Sequence, residues 1–322
     1  MGDRKLVFLD AGSIGDDFTW PDYSRFGEVV MHDLTLPDQT AERVKDATFI
    51  LTNKVFISAK HIAAAKKLRF IGVLATGFNQ VDIGAAAARG IPVCNVPDYS
   101  TNSVSQHVFT LALLLCSRAV DLVASVRTGQ WSKSVHFCYW DKPIIDLYGK
   151  TMGIVGFGNI GAAVARIAHG FGMNVLAYAP RPKPAPDFRP FAFAGIDELF
   201  RSSDVISLHC PLNAETRGMI NASLLRLMKK TAFIVNTARG PLINEEDLLE
   251  ALESESIAGA GLDVVSREPM ADNNPLRFAK NCVITPHVAW CSVESRKFLM
   301  ELVYDNIKAY VDGAPVNVVN GI

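Results

Sequence analysis

Short runs of β-branched and aromatic residues alternate with Ala- and Leu-rich stretches along most of the chain. In the first hundred residues the runs cover 6–9, 29–32, 49–51, 70–73 and 93–95. The clearest helical stretches between them are 59–68 and 83–89. Strands and helices that alternate in this way form a parallel sheet covered on both faces. The alternation therefore predicts an α/β fold.

A second series of the same kind begins after residue 150. Its candidate strands cover 152–155, 175–178, 205–208, 233–236, 258–262 and 283–285. One long helix is predicted at 103–126, after a cluster of turn and capping residues. A last helix at 292–311 follows the second series and is expected to return to the first sheet. We therefore expect two doubly wound parallel-sheet domains, 1–102 plus 291–322 and 103–290, as suits a chain of 322 residues.

Composition excludes several classes of partner. The chain has 32 Lys and Arg against 33 Asp and Glu, a formal net charge of −1, which disfavours nucleic acid and anionic membrane as partners. The six cysteines form no Cys-x-x-Cys pair, so reduced thiols are expected and a structural zinc site is not. No apolar run reaches 18 residues, and the first ten residues lack a signal sequence. These features predict a cytoplasmic protein that does not enter a membrane.

A glycine-rich turn opens the second series. Gly156, Gly158 and Gly161 follow the apolar strand 152–155 and precede a helical stretch. In a dinucleotide-binding turn, the first glycine allows the tight turn, the second lets the backbone approach a pyrophosphate, and the third packs helix on strand. The pyrophosphate would lie on the helix N-terminus, where Asn159 and Ile160 stand. A purely structural turn and a methyltransferase are the alternatives.

The strand that follows this turn lacks an expected carboxylate. An acidic residue usually ends the second strand and holds the ribose 2′-hydroxyl. Here strand 174–178 is followed by Ala179, Pro180 and Arg181. Arg181 could pair with a 2′-phosphate, so NADP(H) is predicted to be accepted, alone or alongside NAD(H). The alternative is a solvated loop whose charges face water.

Three polar residues follow later strands of the second series. Arg239, Glu268 and His287 each lie beyond the end of an apolar strand, where ligands bind in open α/β sheets. Arg239 could bind a carboxylate and polarise a keto oxygen, and His287 could give a proton as hydride arrives. Glu268 could orient the imidazole and favour its protonated form. This set suits reduction of a 2-keto acid.

Each of these residues also has an ordinary interpretation, as a surface charge, a loop or a turn residue. Their joint presence after a dinucleotide turn favours the catalytic one. A serine hydrolase is excluded because no G-x-S-x-G motif is present. A non-catalytic dinucleotide-sensing protein on the same scaffold stays open. No motif gives His209 a proton-transfer role, and His107, in the long helix, is predicted to be a satisfied core or interface histidine.

Over essentially its whole length the chain resembles the D-isomer-specific 2-hydroxyacid dehydrogenase family. The matching motifs lie at 156–161, 209–212, 236–240, 261–263 with 268–269, and 285–287. The resemblance implies Arg239, Glu268 and His287 as the catalytic set. It also implies a flavodoxin-like substrate domain and a Rossmann cofactor domain, with a cleft between them that closes on substrate, and a homodimer.

The same resemblance assigns further binding residues. Thr76 and Gly77 match the loop whose backbone N–H groups hold the substrate carboxylate, and Asp263 matches a partner of the nicotinamide carboxamide. The other cofactor contacts that it implies are Cys210, Pro211, Thr237, Ala238 and His287. No metal is expected.

Within the family, the segments 139–141, 286–290 and 95–101 look like the glycerate dehydrogenase, or hydroxypyruvate reductase, branch. The expected reaction is therefore NAD(P)H-dependent reduction of a small 2-keto acid to the D-2-hydroxy acid. Hydroxypyruvate or glyoxylate, giving D-glycerate or glycolate, is the best match. A D-lactate-type or other 2-hydroxyacid dehydrogenase is the alternative.

Overall fold

The computed structural model describes residues 4–322. The prediction that the chain has no signal sequence rests on residues 1–10. Residues 1–3 of this segment lie outside the described residues. The chain divides into two compact units, Met1–Ser100 with Cys291–Ile322 and Thr101–Trp290. The predicted boundary after residue 102 falls inside a helix that begins at Thr101.

The first unit contains a parallel sheet of five strands within the described residues. The strands are β1 (Lys5–Phe8), β2 (Glu28–Met31), β3 (Phe49–Thr52), β4 (Phe70–Val73) and β5 (Val93–Cys94). The helices of this unit are α1 (Thr40–Val44), α2 (Ala59–Ala64), α3 (Ile83–Ala88) and, near the carboxyl terminus of the chain, α10 (Val293–Val311). The strand order β2-β1-β3-β4-β5 is the flavodoxin-like order.

Helix α10 closes one face of this sheet, as the sequence predicted for a helix at 292–311. Ser292 caps it by accepting a hydrogen bond from the Ser295 amide. Its Tyr310 packs against the rings of Phe49 and Phe70 on β3 and β4. Helices α1 to α3 cover the opposite, aliphatic face. Both faces of the sheet are therefore buried, as a doubly wound sheet requires.

The second unit contains a parallel sheet of seven strands within residues 4–322. They are β6 (Thr151–Val155), β7 (Asn174–Tyr178), β8 (Phe191–Phe193), β9 (Val205–Leu208), β10 (Phe233–Asn236), β11 (Gly259–Leu262) and β12 (Cys282–Ile284). Its helices are α4 (Thr101–Cys116), α5 (Ala119–Arg127), α6 (Asn159–Gly170), α7 (Ile196–Ser202), α8 (Ala222–Leu225) and α9 (Glu245–Glu253). The order β8-β7-β6-β9-β10-β11, extended by β12, is that of a dinucleotide-binding sheet. The α/β fold with two doubly wound sheets is confirmed.

Two local predictions were wrong. Strand β8 was missed because it is a three-residue edge strand that follows five prolines within 180–190, and proline suppresses the strand pattern. The helix predicted at 103–126 is two helices, since Arg118 takes a left-handed conformation with φ of +53° and the axes bend by 57°. The apolar periodicity runs through this bend and conceals it.

Within residues 4–322, no single helix is both long and apolar enough to cross a membrane. Helices α4 and α5 reach that length and hydropathy only when they are taken together across the bend between them.

Candidate active site

The ends of five neighbouring strands of the seven-stranded sheet lie in one register. Val155 is paired with Leu208, Leu208 with Asn236, Asn236 with Leu262, and Leu262 with Ile284. The predicted site residues of this unit lie in the segments that follow these strands or the neighbouring strand β7, and Asn159, Ile160 and Gly161 form the first turn of α6. The sheet therefore gathers segments far apart in sequence along one edge, which spans about 19 Å across five strands at about 4.8 Å spacing.

The glycine turn has the geometry that a dinucleotide requires. Gly156 has a φ of +99°, and a side chain there would collide with the Cys210 amide at 2.6 Å. A Cβ at Gly161 would lie 2.3 Å from the Gly156 carbonyl oxygen, so this glycine lets α6 approach β6. At Gly158 a Cβ would meet nothing within 4 Å. The open space therefore lies at the N-terminus of α6, where the N–H groups of the first helical turn favour an anion.

A buried hydroxyl farther along this edge, after β10, supports the same use of the edge. Thr237 is 9% exposed, and its Oγ1 has no hydrogen-bond partner among residues 4–322. An unpaired buried hydroxyl is costly unless a ligand satisfies it. Together with the room at Gly158, this orphan hydroxyl shows that the residues present fit a bound dinucleotide. No group of three or more metal-binding side chains is placed to hold an ion in the described part of the chain.

Arg181 follows β7 as an exposed side chain. The structure gives it neither a hydrogen-bond nor an ion-pair partner within residues 4–322. His209, which follows β9 on the other side of β6, is held differently. Burial lowers the pKa of His209 to about 3, and its Nε2 lies 2.8 Å from Ser207 Oγ. His209 therefore brings a neutral ring to the edge, while Cys210 is half-buried and Pro211 is exposed.

Arg239 lies on a turn that is held by hydrogen bonds with the Asn236 side chain and packs against the loop of Glu268. The Asn236 side chain donates to the Arg239 carbonyl at 2.9 Å and accepts from the Ala238 amide at 3.0 Å. The guanidinium of half-buried Arg239 donates to the Ala238 carbonyl at 2.7 Å. A Cβ at Gly240 would lie 2.0 Å from the Val265 carbonyl, so this turn lies directly against the loop that carries Glu268.

Glu268 and His287 are in direct contact. Glu268 Oε2 lies 2.6 Å from His287 Nδ1, and its Oε1 accepts from the Val265 amide at 3.1 Å. A carboxylate only accepts, so Nδ1 of the imidazole is the donor and Nε2 is left for another partner. The Glu268 loop is further held by Glu245 of α9, which accepts from the Ser266 amide at 2.5 Å. The pair that the sequence placed together is thus formed, with one ring nitrogen committed to the carboxylate.

Asp263 anchors the loop that carries His287. Its side chain has no exposed surface. Oδ1 accepts from Thr285 Oγ1 at 2.6 Å and the Val288 amide at 2.9 Å, and Oδ2 accepts from the Ala289 amide at 2.8 Å. The predicted contact with a nicotinamide carboxamide stays a prediction, and it would have to use the remaining acceptor capacity of Oδ2.

Two residues beside Asp263 received no role in the site from the sequence. His107 of α4 places Nε2 at 2.9 Å from Thr285 Oγ1, and this hydroxyl in turn contacts Asp263. His107 is therefore a satisfied histidine, as predicted, but its partner belongs to the site. The signal that could have found it is an imidazole on the buried face of a helix, between Val104 and Val108, which needs a polar partner.

Thr76 and Gly77 follow β4 in the five-stranded unit. The Thr76 hydroxyl donates to the Val96 carbonyl at 2.9 Å, and the Thr76 carbonyl accepts from the Asn95 side chain at 2.7 Å. These bonds shape the loop but occupy neither backbone N–H. Thr76 is exposed and Gly77 half-buried, so both amides stand at the carboxyl edge of that sheet.

Comparison with known proteins decides the family. Residues 109–289 match the family described as D-isomer specific 2-hydroxyacid dehydrogenase, NAD binding domain. The chain belongs to the D-isomer specific 2-hydroxyacid dehydrogenases. The dehydrogenase is 43% identical to a hydroxypyruvate reductase of Blautia hydrogenotrophica, over 98% of this chain and 99% of that protein. It is 40% identical to a glycerate dehydrogenase of Methylorubrum extorquens, with the same shares covered.

A solved structure extends the comparison to a bound cofactor. The dehydrogenase superimposes with a TM-score of 0.81, at 25% identity, on an NADPH-dependent glyoxylate/hydroxypyruvate reductase of Sinorhizobium meliloti in complex with NADP and malonate. The match covers 99% of this chain and 97% of that one. A nicotinamide dinucleotide is therefore the cofactor of this dehydrogenase, in agreement with the room at the glycine turn.

Proposed function

We propose that this dehydrogenase reduces hydroxypyruvate to D-glycerate and glyoxylate to glycolate, with NADH or NADPH. The observation that carries the proposal is the 2.6 Å contact between Glu268 and His287 on the sheet edge that also holds the glycine turn. Relatives named for these substrates cover nearly the whole chain, which supports the same choice.

Gly156, Gly158 and Gly161 would hold the dinucleotide, and its nicotinamide would supply the hydride. His287 donates the proton from Nε2 to the keto oxygen, because its Nδ1 is held by Glu268 in either protonation state of the ring. Arg239 binds the substrate carboxylate and polarises the keto oxygen with its planar fork of donors. The backbone amides of Thr76 and Gly77 are proposed as further donors to a substrate carboxylate.

The decisive experiment measures loss of nicotinamide absorbance with a panel of 2-keto acids. We expect wild-type turnover with hydroxypyruvate and glyoxylate, and a fall in kcat of about 10²–10⁴-fold in His287→Ala. NAD(P)H affinity of this variant should be nearly unchanged. Near-normal turnover in His287→Ala would refute the proposal. A wild-type protein that binds NAD(P)H but reduces no keto acid would instead be a dinucleotide-sensing protein.

Arg181 is proposed to accept the 2′-phosphate of NADPH. It is exposed, and no carboxylate lies among residues 179–183, directly after β7, to repel a phosphate. We expect Arg181→Ala to raise KM for NADPH and to leave KM for NADH unchanged. Equal or better turnover with NADH than with NADPH, unaffected by this substitution, would contradict a role for Arg181.

We also propose that the dehydrogenase is a homodimer. Val120, Val123 and Val126 form one face of α5 and are each just over half exposed, and Trp140 in the following loop is 60% exposed. Exposed apolar side chains on one helix face and in the loop that follows it favour an interface. Val123→Glu should give monomers at micromolar concentration in sedimentation experiments where wild type gives dimers. A monomeric wild type would overturn the proposal.

The cysteines bear on the compartment. All six lie within the described residues and none of them forms a disulfide, and burial raises the pKa of thiols such as Cys94 and Cys116. Cysteines without disulfides are typical of a reducing compartment. We therefore propose a cytoplasmic protein, which fractionation of cells carrying a tagged chain would test.

A further inference from the structure

We propose that His107 and Thr285 are positioning residues for His287, acting through the buried carboxylate of Asp263. The inference rests on the proposed function, because it concerns the imidazole that gives the proton. Its basis is a continuous hydrogen-bonded chain from helix α4 to the loop of His287.

The direction of each hydrogen bond in this series follows from the Asp263 carboxylate, which can only accept. Asp263 Oδ1 lies 2.6 Å from Thr285 Oγ1, so the single hydroxyl hydrogen of Thr285 is donated to the carboxylate. The Thr285 oxygen must then accept from His107 Nε2 at 2.9 Å. His107 is therefore protonated on Nε2. This N–H bonds to a lone pair of the Thr285 hydroxyl oxygen. The bond thereby holds the hydroxyl in the orientation in which its hydrogen points at Asp263.

At its other end, this series of hydrogen bonds supports an unfavourable backbone conformation at His287. His287 has a φ of +57°, a left-handed conformation that is uncommon outside glycine. Its amide donates to the Asp263 carbonyl at 2.8 Å, and the next two amides, of Val288 and Ala289, donate to the Asp263 carboxylate. Asp263 thus holds three consecutive residues, His287 through its backbone carbonyl and the next two through its carboxylate.

His107 connects this carboxylate to a rigid element. It lies in the middle of α4, whose neighbouring Val104 and Val108 are buried. The side chain of His107 is 17% exposed and that of Asp263 is fully enclosed, so water has little access to replace either bond. A reacting group supported from a packed helix is held more precisely than one supported by its loop alone.

Paired substitutions test the proposal. His107→Leu and Thr285→Val each break the chain at one link, and we expect kcat to fall about tenfold, as for other outer-sphere partners. KM for the keto acid and the Kd for NAD(P)H should change less than about twofold. Two conservative variants should restore most of kcat, because His107→Gln places an amide nitrogen near the position of Nε2 and Thr285→Ser keeps the hydroxyl.

The double variant separates positioning from general damage. If the two residues act in one chain, His107→Leu with Thr285→Val should lose no more than the worse single variant. Losses that multiply in the double variant would overturn the proposal, as would a kcat of His107→Leu within about twofold of wild type. Equal losses in His107→Gln and His107→Leu would count against it too.

A spectroscopic measurement keeps this inference distinct from the proposed function. In ¹⁵N-histidine-labelled protein, His107 should show a protonated Nε2, and Thr285→Val should shift the Nε2 resonance. The opposite tautomer would overturn the proposal even in an active enzyme. Absence of keto-acid turnover in wild type would instead reject the proposed function, and the His107 tautomer would still be measured.

Discussion

The five-stranded and seven-stranded sheets each place a buried aspartate at their carboxyl edge, just after a strand. Asp10 follows β1 and accepts from the consecutive amides of Asn53 and Lys54 at 2.9 and 2.6 Å. Asp263 follows β11 and accepts from the consecutive amides of Val288 and Ala289. In both cases the amides belong to the loop after the neighbouring strand. The two sheets thus close a loop with the same arrangement.

The surroundings of the two aspartates differ. Asp263 receives in addition the hydroxyl of Thr285, and its loop carries His287 in contact with Glu268. Asp10 is held by loop amides, and burial raises its pKa even though those amides lower it. The shared arrangement orders a loop in each sheet, while the additional polar partners of Asp263 lie beside the side chains to which we assign the chemistry.

The first turn of each sheet shows a second difference. After β1, a Cβ at Gly12 would lie 2.9 Å from the Asp33 carbonyl, so that turn is filled by the chain itself. After β6, a Cβ at Gly158 would meet nothing within 4 Å. Sheets of the same class therefore differ in whether the first turn leaves room for a phosphate. Topology alone does not decide which sheet binds a dinucleotide.

The largest expected effect tests whether the two buried aspartates, Asp10 and Asp263, differ in function. Asp263→Asn places an amide nitrogen where a buried carboxylate oxygen accepted, so a donor faces a donor. We expect kcat for hydroxypyruvate to fall about 100-fold, because the His287 loop loses its support. Asp10→Asn makes the same change in the other sheet. It should leave kcat within about threefold of wild type and change KM and the free energy of unfolding instead.

Steady-state kinetics and urea denaturation of both variants check this prediction. Unfolding data show whether each variant is folded at the assay temperature, which keeps a loss of stability apart from a loss of turnover. Equal falls of kcat in the two variants would break the comparison, since the two aspartates would then be equivalent in function.

Much of this edge was predictable from the sequence. The alternation of runs placed every strand except β8, and the motif residues placed Glu268 and His287 together, because parallel strands end at one edge. The direct Glu268–His287 bond follows from that register. Strand β8 was not predictable, since it exists through pairing with β7 and through the packing of Phe191 on Phe157.

The chain from His107 to Asp263 was not predictable for a different reason. His107 and Thr285 are 178 residues apart, and neither belongs to a local pattern that names its partner. Their contact depends on α4 packing over the ends of β10 to β12. Likewise, the left-handed conformation at Arg118 follows from no turn residue, because glycine and asparagine, the usual residues there, are absent at this position.

A smaller effect tests the room at the first turn. Gly158→Ala adds a methyl group into open space, so stability should be unchanged while the Kd for NAD(P)H rises about tenfold or more, or about 1.4 kcal/mol. The matched variant Gly161→Ala forces a Cβ to within 2.3 Å of the Gly156 carbonyl and should cost about 1–3 kcal/mol of stability. Calorimetric titration and thermal unfolding measure the two effects. Unchanged affinity in Gly158→Ala would place the pyrophosphate elsewhere.

The last comparison concerns how the two edges respond to acid. Burial lowers the pKa of His209 from 6.5 to about 3, so between these values the unfolded chain binds a proton that the folded chain does not. His209 therefore stabilises the fold fully above pH 6.5, and this contribution falls on acidification by up to about 1.4 kcal/mol per pH unit. Asp10 has the opposite sign: its folded pKa is raised above 3.8, so its contribution to stability falls as pH rises from 3.8 through the folded pKa.

Urea denaturation between about pH 4 and pH 7 measures both contributions. His209→Gln keeps a group that can bond Ser207 but does not titrate, so its free energy of unfolding should depend less steeply on pH than that of wild type. Asp10→Asn should depend more steeply on pH, because it removes a contribution that opposes the acid loss. Parallel pH curves for wild type and both variants would show that neither buried group titrates differently in the folded chain, and the electrostatic contrast between the two edges would then be wrong.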